Sequence, residues 1–474
     1  MNAPPLSPPP APETLDAIRA IVGPKGVFEG EDAAPFLTEW RGRWAGAASL
    51  IVAPASTRDV AAVIKLCARE RIAVTPQGGN TGLVGGQLPF GPEILLSLRR
   101  MRTIRDVSPL DNAMTVDAGV TLSEAQEAAK RHDRLFALSI GSEGSCQIGG
   151  AISTNAGGVN VVRYGNMRDQ VLGLEVVTPA GDVWDGLKTL RKDNTGYDLK
   201  HLFIGGEGTL GVVTGAVVKL HPHPRDVVTA FIGVPSTDAA VALLAAAQDA
   251  SGGLVSSFEL MSRQCLAFIT AHIEGARDPL RTPHPWYVLA EFSSSGAGRL
   301  REPVEALLAE AFEDGLVSDA AIAENERQAH AFWHMRHAAS EAINHEGLGA
   351  RHDVSVPTAQ IPAFLKDADA AVERMAPGAR VVAFGHIGDG NIHYDVAPPL
   401  GAGPHGLDHQ RAAIEKSVYD VIAAYDGSIS AEHGVGRHRR DEIAVRKSPV
   451  EMAMMRAVKK ALDPHSIMNP GKML

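Results

Sequence analysis

The sequence predicts an α+β protein with roughly two to three domains, and three features support this prediction. First, a chain of 474 residues is longer than a single hydrophobic core usually organises. Second, strand and helix patterns alternate through the first half of the chain. Third, the second half combines helices with strand patterns in the way that is typical of an antiparallel sheet carrying helices on one face.

In the first half, short strands are predicted over residues 48–56 and 72–79, with a helix between them that has Thr57 as its N-cap. A strand and a capped helix follow, and residues 171–185 predict a hairpin through a Pro-Ala-Gly-Asp turn. Residues 210–224 predict a last strand, which prolines end. A domain boundary is therefore expected at the end of this strand.

The second half begins with a strand and an alanine-rich helix over residues 227–250, and further strands are predicted over 285–295 and 379–396. A helix over residues 448–464 precedes the C-terminal tail. The proline-rich N-terminus is typical of a disordered arm. The chain is thus expected to divide into four segments: an arm (1–14), a first domain (15–224), a second domain (225–425) and a C-terminal segment (426–474).

The acidic balance of the chain argues against nucleic-acid binding, since 45 basic and 55 acidic residues give a formal net charge of −10. No apolar run approaches the roughly 20 residues that a membrane-spanning helix needs, and the N-terminus lacks the pattern of a signal peptide. The three cysteines, Cys67, Cys146 and Cys265, are far apart, which predicts neither a disulfide framework nor an iron–sulfur site. We therefore expect a cytoplasmic protein.

Three glycine-rich segments in the first half predict a site for an extended, phosphate-bearing ligand. They are "TPQGGNTGLVGG" (75–86), "IGSEGSCQIGGAISTNAGG" (140–158) and "FIGGEGTLGVVTG" (203–215). Glycines allow consecutive backbone N–H groups to point at an anion such as a pyrophosphate. One such segment is equally compatible with a flexible surface loop, but a shared ligand explains three of them more economically.

Six motifs together resemble the FAD-linked oxidoreductases of the vanillyl-alcohol-oxidase superfamily: "PQGGNTGLVGG", "GSEGSCQIGGAISTNAGG", "GGEGTLGVVT", "GHIGDGNIH", "AEHGVG" and the terminal "NPGK". Within this superfamily they are most similar to the D-2-hydroxyacid dehydrogenases, whose substrates include D-2-hydroxyglutarate, D-lactate and glycolate. The resemblance implies an FAD-binding domain of two subdomains, completed by the C-terminal segment. It also implies a central α+β substrate (cap) domain built on an antiparallel sheet.

The resemblance further implies which residues bind FAD. Those expected to cradle the pyrophosphate are Pro76, Gly78, Gly79, Asn80, Thr81, Gly82 and Gly85. Those expected to line the rest of the cofactor are Ser142, Gly149, Gly150, Thr154, Asn155 and Gly158, with Glu207, Gly208 and Val213 on the adenine side and Asn469 near the isoalloxazine. Many relatives attach FAD covalently through a histidine in the first loop. That loop has no imidazole or thiol here, so the flavin is expected to be non-covalent.

Two histidines, His386 and His393, flank a Gly-Asp-Gly turn, and Glu432 lies in a later glycine turn. Their seven-residue spacing favours a loop at a strand edge over a pair of ligands on one helix. Two imidazoles and one carboxylate are the composition of a catalytic Zn²⁺ site with an open position, and Mn²⁺ or Fe²⁺ could bind the same set. The alternative is that both histidines are structural. The resemblance favours metal ligands and implies that His433 is the general base.

Substrate recognition is expected to involve Arg336 and Ser340, spaced i, i+4 on one helix face, together with Arg351 and Asn391. The related enzymes have Lys in place of Arg351, so substrate preference does not carry over directly. Two arginines exceed what D-lactate needs, which favours D-2-hydroxyglutarate or a similar diacid over D-lactate or glycolate. Asp389 is a candidate for orienting ligands or substrate, with simple turn formation as the equal alternative.

Two other classes of function stay open at this point. One is a metallohydrolase that uses His386, His393 and Glu432, and the other is a flavin-binding carrier without catalysis. A dehydrogenase would pass its electrons to a separate acceptor, for which an electron-transfer flavoprotein, a cytochrome or a quinone would each be suitable. A homodimer is compatible with the sequence, which gives no direct indication of the oligomeric state.

Overall fold

The computed structural model describes residues 9–296, 298–347 and 349–474, which divide into two compact units. Unit 1 comprises 9–156, 166–223 and 433–474, and unit 2 comprises 157–165 and 224–432. Helices and strands are numbered below along the whole chain.

This division differs from the predicted segments in two places. Residues 157–165, within the predicted first domain, belong to unit 2. The chain returns to unit 1 at His433 rather than at residue 426. The N-terminal prediction also needs correction. Residues 1–8 of the predicted arm lie outside the described residues, but the first helix already begins at Pro12, because proline at the first helical turn loses no hydrogen bond there.

Unit 1 contains a four-stranded sheet in the order β1-β2-β4-β3, a five-stranded antiparallel sheet in the order β5-β6-β10-β8-β9, and the short pair β11-β7. Its strands are β1 (Val27–Phe28), β2 (Leu50–Val52), β3 (Val74–Gln77), β4 (Ile94–Ser97), β5 (Ile104–Ser108), β6 (Ala113–Asp117), β7 (Arg134–Leu135), β8 (Val171–Val177), β9 (Val183–Gly186), β10 (Val212–Lys219) and β11 (His221–Pro222). Its helices are α1 (Pro12–Val22), α2 (Ala34–Leu37), α3 (Thr57–Glu70), α4 (Leu122–Lys130), α5 (Ile148–Thr154), α7 (Met167–Gln170), α8 (Lys200–Phe203), α16 (Arg440–Arg446) and α17 (Pro449–Leu462).

The N-cap of α3 is Ser56, not Thr57 as predicted. Ser56 has the extended backbone that a cap requires, and its Oγ accepts from the N–H of Asp59 at 3.2 Å. Thr57 is already helical, and its hydroxyl instead donates to Glu175 Oε1 at 2.6 Å. The sequence pattern alone could not decide between two adjacent hydroxyl residues.

The C-terminal tail is part of the core of unit 1. Met468 is fully buried and pairs with Val74 of β3, the strand that leads into the first glycine-rich segment. Ile467 is buried in the same hydrophobic cluster. Apolar burial of this kind stabilises the tail against the strand, which explains how residues at the far end of the chain reach the start of the glycine-rich segment.

Unit 2 is built on one antiparallel sheet of seven strands in the order β15-β12-β14-β13-β17-β18-β16. Its strands are β12 (Asp226–Val234), β13 (Val255–Ser262), β14 (Trp286–Ser294), β15 (Asp319–Ile322), β16 (Ala350–Ser355), β17 (Arg380–Gly385) and β18 (Asn391–Ala397). Its helices are α6 (Val161–Tyr164), α9 (Thr237–Ser251), α10 (Arg263–His272), α11 (Arg301–Glu313), α12 (Glu326–His337), α13 (Ala339–His345), α14 (Ile361–Met375) and α15 (Arg411–Ala424). This is the antiparallel sheet with helices that the sequence predicts.

The turn between β17 and β18 depends on glycine at both ends. Gly385 and Gly390 have φ angles of +144° and +87°, which residues with a Cβ rarely adopt. A Cβ at Gly390 would also lie 2.3 Å from the carbonyl oxygen of Val356. The two strands are therefore joined by a tight, specific turn. Within the described residues, no helix is both long and apolar enough to cross a bilayer.

Candidate active site

The β17–β18 turn brings the two predicted histidine ligands together. His386 directly follows β17, and His393 lies in β18 opposite Phe384. Their rings are 5.5 Å apart and nearly perpendicular. Glu432 completes the group, with its Oε2 at 3.5 Å from His386 Nε2 and 3.7 Å from His393 Nε2.

These distances match the spacing that a bound metal would require. Ligand bonds of about 2.1 Å in a tetrahedral arrangement place neighbouring donor atoms about 3.4 Å apart. A direct hydrogen bond would be shorter, at about 2.7–3.0 Å. The Glu432 oxygen is thus separated from each imidazole nitrogen by slightly more than a hydrogen bond and by about the spacing of ligands to one cation. The donor set therefore fits a divalent metal.

The protonation of the two imidazoles is set by different neighbours. Burial lowers the pKa of His393 to about 4, so this ring is neutral and can donate a lone pair at physiological pH. Burial acts in the same direction on His386, but the carboxylates of Glu259 and Glu432 outweigh it and raise the pKa of His386 well above its ordinary value. In the absence of a cation, a proton on His386 would balance the two carboxylates.

Glu259 is a site residue that the sequence analysis missed. It lies in the middle of β13, is fully buried, and accepts a hydrogen bond from His386 Nδ1 at 2.6 Å. Its other oxygen, Oε2, is 2.7 Å from Arg336 Nε. A sequence signal was present, since a lone carboxylate in the otherwise uncharged strand "VSSFELMS" is costly unless it has a partner.

Asp353 is the second missed residue. Its carboxylate accepts from the Glu432 N–H at 3.0 Å and from Asn391 Nδ2 at 3.1 Å. Asp353, His393 and Glu432 belong to a group of side chains whose possible ligand atoms lie within 4.8 Å of one another, and His386 does not belong to this group. The Asp353 oxygens already accept hydrogen bonds that position Glu432 and Asn391, and the role of His386 as the third ligand stays a prediction.

Asn391 and Asp389 have clear structural partners. Besides Asp353, the amide of Asn391 donates to the Val354 carbonyl at 2.9 Å. Asp389 Oδ1 accepts from the Asn391 N–H at 3.2 Å, which is ordinary turn chemistry. Burial raises the pKa of Asp389 to about 7. Binding of substrate by Asn391 stays a prediction.

The predicted anion-binding residues do not share one helix face. Arg336 is in the last turn of α12, whereas Ser340 is in α13, and the chain changes helix at Ala338, where ψ is −5°. Both segments bury apolar side chains in the same hydrophobic cluster, which the bend allows. Arg351 is on β16, where its Nη2 donates to Asn344 Oδ1 at 2.6 Å.

Both arginines also have acidic neighbours. Arg336 is paired with Glu259, and Arg351 Nε lies 3.9 Å from Asp395 on the adjacent strand. The sequence argument for a diacid assumed a surplus guanidinium that would be unpaired without a second substrate carboxylate. The structure removes that premise, because each guanidinium already has a carboxylate nearby.

In unit 1, the first two glycine-rich segments pack backbone against backbone. A Cβ at Gly79 would lie 1.8 Å from the carbonyl oxygen of Ser145, and a Cβ at Gly149 would lie 2.7 Å from Ala118 Cβ. The Cα of Gly150 is 3.4 Å from the Cβ position of Gly78. Glycine at position 79 therefore serves close packing of the two segments, and glycine at position 149 serves close packing against Ala118. Contact of the segments with FAD stays a prediction.

Glu207 connects the third glycine-rich segment to the turn after His433. Its two carboxylate oxygens accept from the N–H groups of Val435 and Gly436, each at 2.7 Å. The amide of Asn469 donates to the Glu207 carbonyl at 2.7 Å and to the Gly86 carbonyl at 2.9 Å. One network in unit 1 thus joins two of the glycine-rich segments, the tail and the turn that carries the predicted base.

Comparison with protein families matches both halves of the chain. Residues 48–186 match the family described as "FAD binding domain", and residues 223–473 match "FAD linked oxidases, C-terminal domain". A D-2-hydroxyglutarate dehydrogenase of Stutzerimonas stutzeri is 36% identical, with 97% of this chain and 98% of the relative covered. The mitochondrial D-2-hydroxyglutarate dehydrogenase of Arabidopsis thaliana is 38% identical, covering 96% of this chain and 80% of the relative.

Solved structures show the same fold. p-Cresol methylhydroxylase superposes with a TM-score of 0.74 at 18% identity, covering 97% of this chain and 96% of that chain. An alkyldihydroxyacetonephosphate synthase superposes with a TM-score of 0.71 at 19% identity, covering 99% and 86%. At such low identity these matches establish the architecture, which is that of the predicted α+β class.

The prediction of a cytoplasmic location is wrong on these comparisons. The Arabidopsis thaliana relative and a Bos taurus relative that is 36% identical are named as mitochondrial proteins, although the Stutzerimonas stutzeri relative is not. The prediction rested on low cysteine use, which does not distinguish the cytoplasm from other reducing compartments.

The two family matches span most of the chain, and the relatives align over nearly its whole length. The chain therefore belongs to the FAD-linked oxidoreductases of the vanillyl-alcohol-oxidase superfamily and, within it, to the FAD-dependent D-2-hydroxyacid dehydrogenases.

Proposed function

We propose that the protein oxidises a D-2-hydroxy diacid, D-2-hydroxyglutarate or a close analogue, to the corresponding 2-oxo acid with the help of a divalent metal. The spacing of His386, His393 and Glu432 is the observation that carries the metal part of this proposal. The names of the relatives support the diacid, since several are D-2-hydroxyglutarate dehydrogenases. Membership of a flavin-dependent dehydrogenase group sets aside the metallohydrolase and the carrier.

The metal would be held by His386 Nε2, His393 Nε2 and Glu432, with Zn²⁺ as the first candidate and Mn²⁺ or Fe²⁺ as alternatives. When bound, such a cation lowers the pKa of a coordinated hydroxyl and so favours its deprotonation. The neutral state of His393 suits this role, because a protonated imidazole has no lone pair at that nitrogen. The Asp353 carboxylate orients Glu432 by accepting a hydrogen bond from the Glu432 backbone N–H.

His433, which directly follows Glu432, would accept the proton of the substrate 2-hydroxyl. The adjacent turn is fixed by the two backbone hydrogen bonds to Glu207, which limits the positions that His433 can reach. FAD, held non-covalently by the glycine-rich segments, would supply the redox chemistry as the acceptor of the substrate's hydride. The electrons would then pass to a separate acceptor such as an electron-transfer flavoprotein, a cytochrome or a quinone.

Arg336, Ser340, Arg351 and Asn391 are the proposed contacts of the substrate. A guanidinium has five N–H donors, so a pairing with one carboxylate does not exhaust Arg336 or Arg351. Arg351 is on the antiparallel neighbour of β18, the strand that carries His393. This places a cationic side chain and a proposed metal ligand on adjacent strands of the same sheet.

The test of the diacid proposal is a comparison of kcat/KM for D-2-hydroxyglutarate and D-lactate, after a panel of D- and L-hydroxy acids has been screened for anaerobic bleaching of the flavin. A charge-assisted contact contributes about 1.5–3 kcal/mol, so the diacid should be preferred by more than about tenfold. Equal values, or a preference for D-lactate, would reject the diacid and leave the dehydrogenase assignment intact.

A further inference from the structure

Glu259 occupies an unusual position for a carboxylate. All residues of β13 are buried, and the Glu259 side chain has no exposed surface. Its two oxygens bind two different partners: Oε1 is 2.6 Å from His386 Nδ1, and Oε2 is 2.7 Å from both Nε and Nη2 of Arg336. The three side chains form a buried chain from Arg336 to Glu259 to His386.

This arrangement determines which nitrogen of His386 can bind a metal. A carboxylate that accepts from Nδ1 fixes the proton on that nitrogen and leaves the lone pair on Nε2. Nε2 is the atom that lies 3.5 Å from Glu432 Oε2, within the proposed ligand set. The hydrogen bond also fixes the plane of the ring, since the imidazole cannot rotate without breaking it.

Arg336 supports Glu259 from the other side. A buried carboxylate is costly unless it is paired, and Arg336 is itself 6% exposed. Its guanidinium also lies over the Phe384 ring at 5.0 Å, and Phe384 is opposite His393 on the neighbouring strand.

We propose that Glu259 is a positioning residue for the metal: it holds His386 in the tautomer and orientation that present Nε2, and Arg336 acts on the metal site through it. This inference rests on the proposed metal site. It gives Arg336 a role in addition to the expected contact with substrate, because its charge is required before any substrate binds.

Glu291 provides a matched control within the same sheet. It is a half-buried carboxylate on β14. In the pairing of β13 with β14, Glu291 lies opposite Ser257, and Leu289, two residues before it, lies opposite Glu259. Its hydrogen bonds are to Trp333 Nε1 at 2.8 Å, Ser256 Oγ at 3.3 Å and Thr229 Oγ1 at 3.4 Å. Glu291→Gln therefore tests whether loss of any carboxylate in this sheet affects the metal.

The experiment titrates metal-free holoenzyme with Zn²⁺ and measures the dissociation constant for wild type, Glu259→Gln and Glu291→Gln, with FAD content checked by absorbance. We expect Glu259→Gln to weaken Zn²⁺ binding by about 10–100-fold and Glu291→Gln to leave it unchanged. The visible d–d bands of the Co²⁺-substituted enzyme should also shift in Glu259→Gln alone.

A second variant separates the loss of metal positioning from a loss of stability. It is needed because Glu259→Gln leaves the buried Arg336 charge without its partner, which destabilises the fold. The double variant Glu259→Gln/Arg336→Gln removes both charges and should show the same loss of Zn²⁺ affinity. Wild-type affinity in a folded single or double variant would overturn the proposal for Glu259. Failure of the wild type itself to bind Zn²⁺, Mn²⁺ or Fe²⁺ would instead reject the metal site.

Discussion

Glu259 and Glu432 are both carboxylates beside His386, and each is set in place by a different part of unit 2. Glu259 is paired with Arg336 inside the sheet, whereas the backbone N–H of Glu432 is held by Asp353. Gly157 leaves the space that Glu432 occupies, since a Cβ at that position would lie 2.8 Å from Glu432 Oε1. The proposed ligands are therefore fixed by neighbours that the motif does not contain.

Removing one ligand should abolish metal binding without affecting the flavin. We expect His386→Ala and Glu432→Ala to lose the metal and turnover, because the remaining two donors bind a divalent cation weakly. Both variants should retain FAD, since neither residue is in a glycine-rich segment. Metal analysis and the flavin spectrum of the purified variants check this. Full activity of either variant in the presence of a chelator would contradict the metal assignment.

Removing the proposed base should slow the chemical step and leave substrate binding intact. For His433→Ala we expect anaerobic flavin reduction to slow by about 10²–10⁴-fold, which is the usual effect of losing a general base. The substrate dissociation constant, obtained from the concentration dependence of the rate in stopped flow, should change little. An unchanged reduction rate would place the base on another residue.

At the scale of elements, the β17–β18 turn creates the site, and much of it could be predicted. The glycines around His386 and His393 indicate a turn between strands, which the structure contains. The continuous helix face expected for Arg336 and Ser340 is wrong, because the i, i+4 spacing cannot reveal a change of helix at Ala338.

Gly390 should tolerate substitution less well than a glycine with similar backbone angles elsewhere. Gly378 has a φ of +76° and no atom within 4 Å of a Cβ position, so Gly378→Ala should cost only about 1 kcal/mol in unfolding free energy. In Gly390→Ala the positive φ angle costs a similar free energy, and the new Cβ also clashes with the Val356 carbonyl oxygen. This variant should therefore lower the unfolding free energy more, and it should weaken metal binding. Denaturant unfolding and Zn²⁺ titration measure both effects, and equal behaviour of the two variants would show that the turn does not need glycine for space.

At the scale of the whole molecule, the family could be predicted from six ordered motifs, because each is local in sequence. The residues outside the motifs that contact them in the fold could not be predicted. Glu259 and His386 are 127 positions apart in sequence, and only the order of strands in the sheet brings them together. The cellular location was also beyond reach, since low cysteine use does not distinguish between reducing compartments.

FAD should be released when the protein is denatured. The segment over residues 75–86 contains no histidine or cysteine to form a covalent bond to the flavin. After acid precipitation we therefore expect all yellow colour in the supernatant, measured by its absorbance. A yellow pellet would show an attachment elsewhere in the chain.

Metal dependence of flavin reduction tests the central claim most directly. The holoenzyme is stripped with a chelator, mixed anaerobically with D-2-hydroxyglutarate, and compared with the same enzyme reloaded with Zn²⁺ or Mn²⁺. Deprotonation of the 2-hydroxyl depends on the cation at His386, His393 and Glu432 in our account. We therefore predict that the flavin is bleached rapidly only in the reloaded enzyme. Equally rapid bleaching of the stripped enzyme, with metal analysis confirming its removal, would contradict the account.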